Sequence, residues 1–221
     1  MANVSIKIPA LNQSYYDAVS SKANQDKINN IIKPKYGAIV DNISAITNVP
    51  KEIIYAFIFI ESGGNEKAKS PYATGLMQLN GATASDLIVK EKGAGRLSEA
   101  ESNMLKKYLG SRYSLVESVK PKQTSLGKTF ITNDDLLKPE FNILLGSLLI
   151  GQLISEFTES DGKIRMDKVV TIYNGGRYGA TAKKVIPFQG STEQLIAIVP
   201  KETSAYILKL LGTQGVLDTM V

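Results

Sequence analysis

The chain has 221 residues and contains no histidine, no cysteine and no tryptophan. These absences exclude a Ser-His-Asp triad, a cysteine nucleophile, zinc sites with histidine ligands and disulfides. Acid-base chemistry must therefore come from Asp, Glu, Lys or Tyr side chains. The lack of cysteine is compatible with any redox compartment, so it does not indicate where the protein works.

Long hydrophobic runs are also missing. The longest apolar stretches, Ile53 to Ile60 and Ile143 to Ile154, are too short to span a bilayer, and no transmembrane segment is predicted. Met1 to Pro9 contains no apolar region long enough for a secretory signal peptide, so we expect synthesis in the cytoplasm.

Basic residues are in moderate excess over acidic ones. The formal net charge of +5 permits attraction to nucleic acid, to anionic membranes or to an acidic polymer such as a bacterial wall. The lysines occur in short pairs without a long basic run or interleaved aromatics, which favours solvated helix faces, and no nucleic-acid partner is expected.

Apolar residues recur at spacings of three and four, which predicts an all-α protein with one sizeable core. Asn48 and Pro50 precede a buried helix that runs to Glu61, and Pro139 opens a second long apolar helix, Glu140 to Phe157. The basic, turn-rich stretch from Ser111 to Asn133 is expected to be a long loop or a β-like excursion. Further helices are predicted at Tyr15 to Ile32, Pro34 to Thr47, Ala82 to Lys90, Ser98 to Leu109, Ala180 to Val185, after the Ser191/Gln194 capping box, and Glu202 to Leu211.

Glu61 is the most informative residue in the sequence. It ends the most apolar helical stretch, and Ser-Gly-Gly follows it directly. Desolvation by the neighbouring apolar side chains and the negative end of the helix dipole favour a protonated carboxyl, as a general acid near neutral pH requires. Taken alone, Glu61 is better explained as the end of a helix where the chain simply meets water.

Five motifs follow one another in a specific order. They are Glu61-Ser62-Gly63-Gly64, Ser70-Pro71, Gly75-Leu76-Met77-Gln78, Asn142-Ile143 with Gly146, and Tyr173-Asn174-Gly175-Gly176. In this order they resemble the soluble lytic transglycosylase family, whose fold is related to goose-type lysozyme. Pro200 with Glu202-Thr203 and Tyr206 is similar to the closing motif of that family, so the resemblance covers roughly Val49 to Leu211.

The resemblance implies that Glu61 is the only catalytic acid and base. It would protonate the glycosidic oxygen between N-acetylmuramic acid and N-acetylglucosamine in peptidoglycan. It would then take a proton from the 6-hydroxyl of the muramic acid, which attacks C1 and leaves a 1,6-anhydro end. Glu66 and Asp86 do not match the catalytic pattern and are interpreted as solvated charges. No cofactor and no metal are expected.

The resemblance also implies a substrate groove. Ser70 and Gln78 would contact the glycan, Met77 would lie against a sugar face, and Gly75 would allow the backbone to approach closely. The Tyr173 hydroxyl would orient Glu61, Asn174 would shape the groove, and Glu202 is a further candidate contact with glycan or peptide stem. Asn142 and Gly146 are expected to be packing residues that let their helix approach the catalytic helix.

Three segments are predicted: an N-terminal helical extension at residues 1–48, a lysozyme-like catalytic domain with a long inserted loop at 49–212, and a C-terminal tail at 213–221. A wall-cutting enzyme without a signal peptide suits a bacteriophage, as a virion-associated or lysis enzyme with virion or tail proteins as partners. A hydrolytic muramidase of the same fold and a noncatalytic wall-binding virion module remain alternatives.

Overall fold

The computed structural model describes residues 11–118 and 129–220. These residues are mainly helical, with two short β-strands, which confirms the predicted all-α class. Within these two ranges, no helix combines the length and the apolar character needed to cross a membrane.

The chain divides into two compact units. One comprises Pro34–Leu149, and the other comprises Met1–Lys33 together with Ile150–Val221. The predicted segments 1–48, 49–212 and 213–221 follow different boundaries and stay a prediction.

The Pro34–Leu149 unit is built from helices that surround a very apolar one. In that apolar helix the residues from Ile53 to Ile58 are all buried, as the sequence predicts for a central element. The helices that contribute to this unit are α2 (Lys33–Thr47), α3 (Lys51–Ser62), α4 (Gly81–Gly93), α5 (Glu99–Leu109), a 3-10 turn (Gly110–Arg112), α6 (Tyr113–Ser118), α7 (Asn133–Leu136) and α8 (Pro139–Glu156).

The second unit contains the remaining elements. Its two strands pair in parallel, with Leu11 opposite Gly212. The chain turns at Gly162, which has a φ of 82°, and Glu159 N–H donates to the carbonyl of Lys163 at 2.8 Å. The elements are β1 (Leu11–Ser14), α1 (Ala18–Lys27), a π-helical turn (Ile28–Ile32), α9 (Met166–Gly175), α10 (Ala180–Val185), α11 (Thr192–Ile198), α12 (Lys201–Leu211) and β2 (Gly212–Thr213).

The predicted helix from Tyr15 to Ile32 needs correction at both ends. It begins only at Ala18, because the Asp17 carboxylate accepts the Ser20 N–H at 2.7 Å and caps the helix. Its last turn is π-helical, with Lys33 N–H donating to the Ile28 carbonyl.

The expectation of a loop or a β-like excursion from Ser111 to Asn133 is wrong at its start. This part of the chain forms a 3-10 turn and then helix α6, Tyr113–Ser118. Residues 119–128 lie outside the described ranges. At the far end, Thr132 and Asp135 form a capping box for α7.

A partly buried ion pair holds the two ends of this stretch together. The guanidinium of Arg112 donates to both carboxylate oxygens of Asp135, at 2.6 and 3.0 Å. Burial alone would raise the pKa of Asp135, but the hydrogen bonds from Arg112 and Thr132 outweigh it and hold the pKa well below its usual range. The carboxylate therefore stays ionised and ties α7 to the 3-10 turn that precedes α6.

Candidate active site

Glu61 lies in the last turn of α3 and is half-buried. Ile54, Phe57 and Ile58, in the turns before it, have no exposed surface. The acid therefore stands where an apolar helix meets the surface, as the sequence predicts. At this end the unpaired carbonyls of the helix favour the uncharged form of a carboxyl group.

Two glycines, which follow Ser62, stop the helix one residue after Glu61. Gly63 and Gly64 have φ values of 59° and 83°, in the left-handed region that glycine adopts without strain. Gly63 N–H closes the helix on the Phe59 carbonyl at 2.8 Å, and Gly64 N–H donates to the Ser62 hydroxyl at 3.2 Å. The chain thus turns sharply away from the acid.

Ser70 organises the next loop. Its hydroxyl oxygen accepts the N–H groups of Tyr72 and Ala73 at 3.2 and 3.0 Å, while its own hydrogen can donate to a ligand. Ser70 is exposed, so its predicted contact with the glycan is sterically open. The Tyr72 ring beside it is 81% exposed; the family motifs gave no reason to single it out.

The turn from Gly75 to Gln78 is tied to the preceding loop. The Gln78 amide nitrogen donates to the carbonyls of Ala68 and Gly75 at 3.1 and 2.9 Å. Gln78 is half-buried and has a φ of 44°, an uncommon conformation that these two bonds help to hold. Because the nitrogen is used within the protein, the predicted contact with the glycan falls to the amide oxygen.

Asn142 fixes the same turn from helix α8 and has no exposed surface. Its side-chain oxygen accepts Met77 N–H at 2.8 Å, and its nitrogen donates to the carbonyls of Thr74 and Leu136 at 3.0 and 2.9 Å. The burial supports the expected packing role, and the three hydrogen bonds join α8 to Met77 and Thr74 at the turn and to Leu136 in α7.

The expected roles of Met77 and Gly75 need correction. Met77 has no exposed surface, and a Cβ added at Gly146 would collide with its sulfur, so the side chain packs in the core rather than presenting a face to a sugar. Gly75 is buried with a φ of 85°, and a Cβ there would collide with the Leu136 carbonyl and the Asn142 amide. Its close approach is thus to the protein itself.

These two glycines should respond differently to alanine. Gly75→Ala is expected to destabilise the protein by about 2–4 kcal/mol, because both the positive φ and the rigid carbonyl oppose a side chain. Gly146→Ala is expected to cost about 1 kcal/mol, because the flexible Met77 side chain can move. Urea unfolding of both variants checks the order, and equal losses would contradict it.

Tyr173, Asn174 and Glu202 lie in the second compact unit. Tyr173 is half-buried and Asn174 is exposed in the last turn of α9. Glu202 is exposed in the first turn of α12. The hydrogen bond from Tyr173 to Glu61 and the glycan contacts of the other two residues stay predictions.

Glu66 and Asp86 are not the freely solvated charges that the sequence suggests. Glu66 lies 3.0 Å from the Lys35 ammonium and accepts the Tyr36 hydroxyl at 2.9 Å. Asp86 pairs with Lys90 one helical turn later. Across residues 11–118 and 129–220, no group of three or more acidic side chains could hold a metal ion.

Comparison with known families agrees with this geometry. The described residues form a lysozyme-like, all-α fold. Residues 39–117 match the family model of the transglycosylase SLT domain, which confirms the resemblance to lytic transglycosylases over this range. The match encloses Glu61, Ser70 and the Gly75–Gln78 turn, and it ends before Asn142. A search of curated proteins finds no match.

Proposed function

We propose that this protein is a peptidoglycan lytic transglycosylase. It cleaves the β-1,4 bond between N-acetylmuramic acid and N-acetylglucosamine and leaves 1,6-anhydro ends. The observation that carries the proposal is the position of Glu61: within the range that matches the SLT domain, at the half-buried end of an apolar helix. The SLT match supports peptidoglycan as the substrate.

Glu61 acts in both halves of the reaction. Its protonated carboxyl donates to the glycosidic oxygen as the bond to C1 breaks, so the departing sugar leaves as an alcohol. The resulting carboxylate takes the proton of the muramic acid 6-hydroxyl while that oxygen bonds to C1. The acid is thereby regenerated and no water is consumed.

The surroundings of the other carboxylates favour this one-acid mechanism over hydrolysis. A hydrolase of this kind normally uses a second carboxylate to activate water or to attack C1. The two carboxylates considered for this role in the sequence, Glu66 and Asp86, are both engaged in ion pairs. When the nucleophile is already part of the substrate, tethering supplies the effect of a high local concentration, and a second carboxylate is unnecessary.

Incubating purified sacculi with the protein distinguishes an enzyme from a noncatalytic wall-binding module. The proposal predicts loss of turbidity and release of soluble fragments. Sedimentation of the protein with intact sacculi, without any soluble fragment, would support the binding module instead. The mass of the released fragments separates a transglycosylase from a muramidase, because an anhydro end is one water lighter than a reducing end.

We further propose that this activity serves phage entry or lysis, with virion or tail proteins as partners and the cell wall as the place of action. This part of the proposal rests on the sequence expectation. Peptide mass spectrometry of purified virions tests the virion-associated form, and lysis on expression with a holin tests the lytic form. A negative result in both experiments would contradict it.

A further inference from the structure

A tyrosine outside the family match braces the loop that follows the catalytic acid. Tyr36 lies in α2, before the start of the match at residue 39, and is only 2% exposed. Its hydroxyl reaches the Gly64 carbonyl at 3.2 Å and the Glu66 carboxylate at 2.9 Å. Both acceptors lie within five residues of Glu61.

The two acceptors share one hydrogen. A tyrosine hydroxyl has a single proton to donate, and the shorter distance favours Glu66. Hydrogen bonds from Lys35 and then Tyr36 lower the pKa of Glu66, so Glu66 is an ionised acceptor at neutral pH. Burial raises the pKa of Tyr36, so its hydroxyl keeps its proton over the same range.

The segment from Gly63 to Glu66, which Tyr36 contacts, has little support of its own. Gly63 and Gly64 both have positive φ, and successive glycines leave the chain with more conformational freedom than any other residue pair. The last turn of a helix frays most easily, and Glu61 lies in that turn. Without a brace, motion of the Gly-Gly turn would be transmitted to the carboxyl group.

We propose that Tyr36, acting through Gly64 and Glu66, is a positioning residue that holds the end of α3 and thereby sets the orientation of Glu61. This inference rests on the proposed transglycosylase function. The segment before the family match thereby contributes to the reaction, because the Tyr36 hydroxyl in α2 limits the orientations open to the Glu61 carboxyl group. Lys35 contributes less, because its side chain is 53% exposed and the ion pair with Glu66 is screened by solvent.

Tyr36→Phe removes the hydroxyl and keeps the ring. We expect kcat on purified glycan strands to fall about tenfold while KM changes less than about twofold, since misplacement of a catalytic group lowers the rate more than binding. Amide hydrogen exchange in residues 63–66 should be faster. Glu66→Leu should reproduce both effects, and Glu66→Gln, which keeps an acceptor, should restore most of the rate.

Tyr113→Phe is the matched control. Tyr113 belongs to the same compact unit and is buried, and its hydroxyl has no hydrogen-bond partner among the described residues. Its removal should leave kcat and exchange in residues 63–66 unchanged. All rates are measured well below the melting temperature of each variant, so that a loss of stability alone does not lower kcat.

The outcomes distinguish a failure of the positioning role of Tyr36 from a failure of the proposed transglycosylase function. If the wild-type protein is active but Tyr36→Phe keeps the wild-type kcat, the positioning role alone is overturned. The same holds if amide exchange in residues 63–66 of Tyr36→Phe is unchanged. Wild-type protein that releases no fragments would overturn the proposed function, and the positioning role with it.

Discussion

Replacing Glu61 by glutamine is expected to lower fragment release from sacculi by about a thousandfold or more, because one residue supplies both proton transfers. The amide has nearly the same shape but neither donates the proton that the leaving sugar needs nor accepts the one that the 6-hydroxyl must lose. Binding to sacculi and the melting temperature should change little. Fragment release is followed by turbidity and by chromatography of the soluble products.

Glu52→Gln is the matched control for this variant. Glu52 lies in the first turn of the same helix, at the opposite end from the site, so the same change of charge should leave the rate near that of the wild type. Asp86→Asn tests the hydrolytic alternative, since a carboxylate that activates water would be as indispensable as the acid. Near wild-type activity of Glu61→Gln, or a comparable loss in Asp86→Asn, would mean that the chemistry has been assigned to the wrong residues.

Asn142→Asp is expected to be the most damaging isosteric change to the framework of the site. The substitution keeps the acceptor for Met77 N–H but turns the donor that faces the Thr74 and Leu136 carbonyls into a second oxygen. The new oxygen would face the two carbonyl oxygens with no hydrogen between them, and the Thr74 carbonyl would keep only the Leu79 N–H as a donor. We expect a loss of roughly 3–5 kcal/mol at neutral pH, a large part of the stability of a domain this size.

The loss in Asn142→Asp should shrink at acidic pH, because a protonated carboxyl can donate to one of the two carbonyls again. Asn103→Asp on the exposed side of α5 is the control and should be close to neutral. Urea unfolding at neutral and acidic pH measures both. Equal stability of Asn142→Asp and the wild type would show that the Asn142 network does not hold the Gly75–Gln78 turn.

The features that follow from local chemistry were predictable from the sequence. The capping box at Ser191 forms as expected, because a cap and its partner lie within one turn of each other. The end of α3 was predictable for the same reason: Gly63 supplies the left-handed residue that stops a helix. The position of Glu61 follows directly from that stop.

The features that depend on distant partners were not predictable. Motif order marks Met77 as a candidate sugar contact, but its burial depends on Gly146 in another helix. Likewise, Glu66 is a loop residue in sequence, and its hydroxyl partner Tyr36 comes 30 residues earlier. Arg112 likewise pairs with Asp135, which comes 23 residues later. Such pairings have no local signature because the fold brings the partners together.

In the proposed reaction the substrate, rather than water, supplies the nucleophile. Digestion of purified peptidoglycan in water enriched in oxygen-18, followed by mass spectrometry of the new glycan ends, tests it directly. We predict 1,6-anhydro-muramic acid ends that carry no oxygen-18, made by wild-type protein and absent with Glu61→Gln. Reducing muramic acid ends labelled with oxygen-18 would contradict the claim and identify the protein as a muramidase.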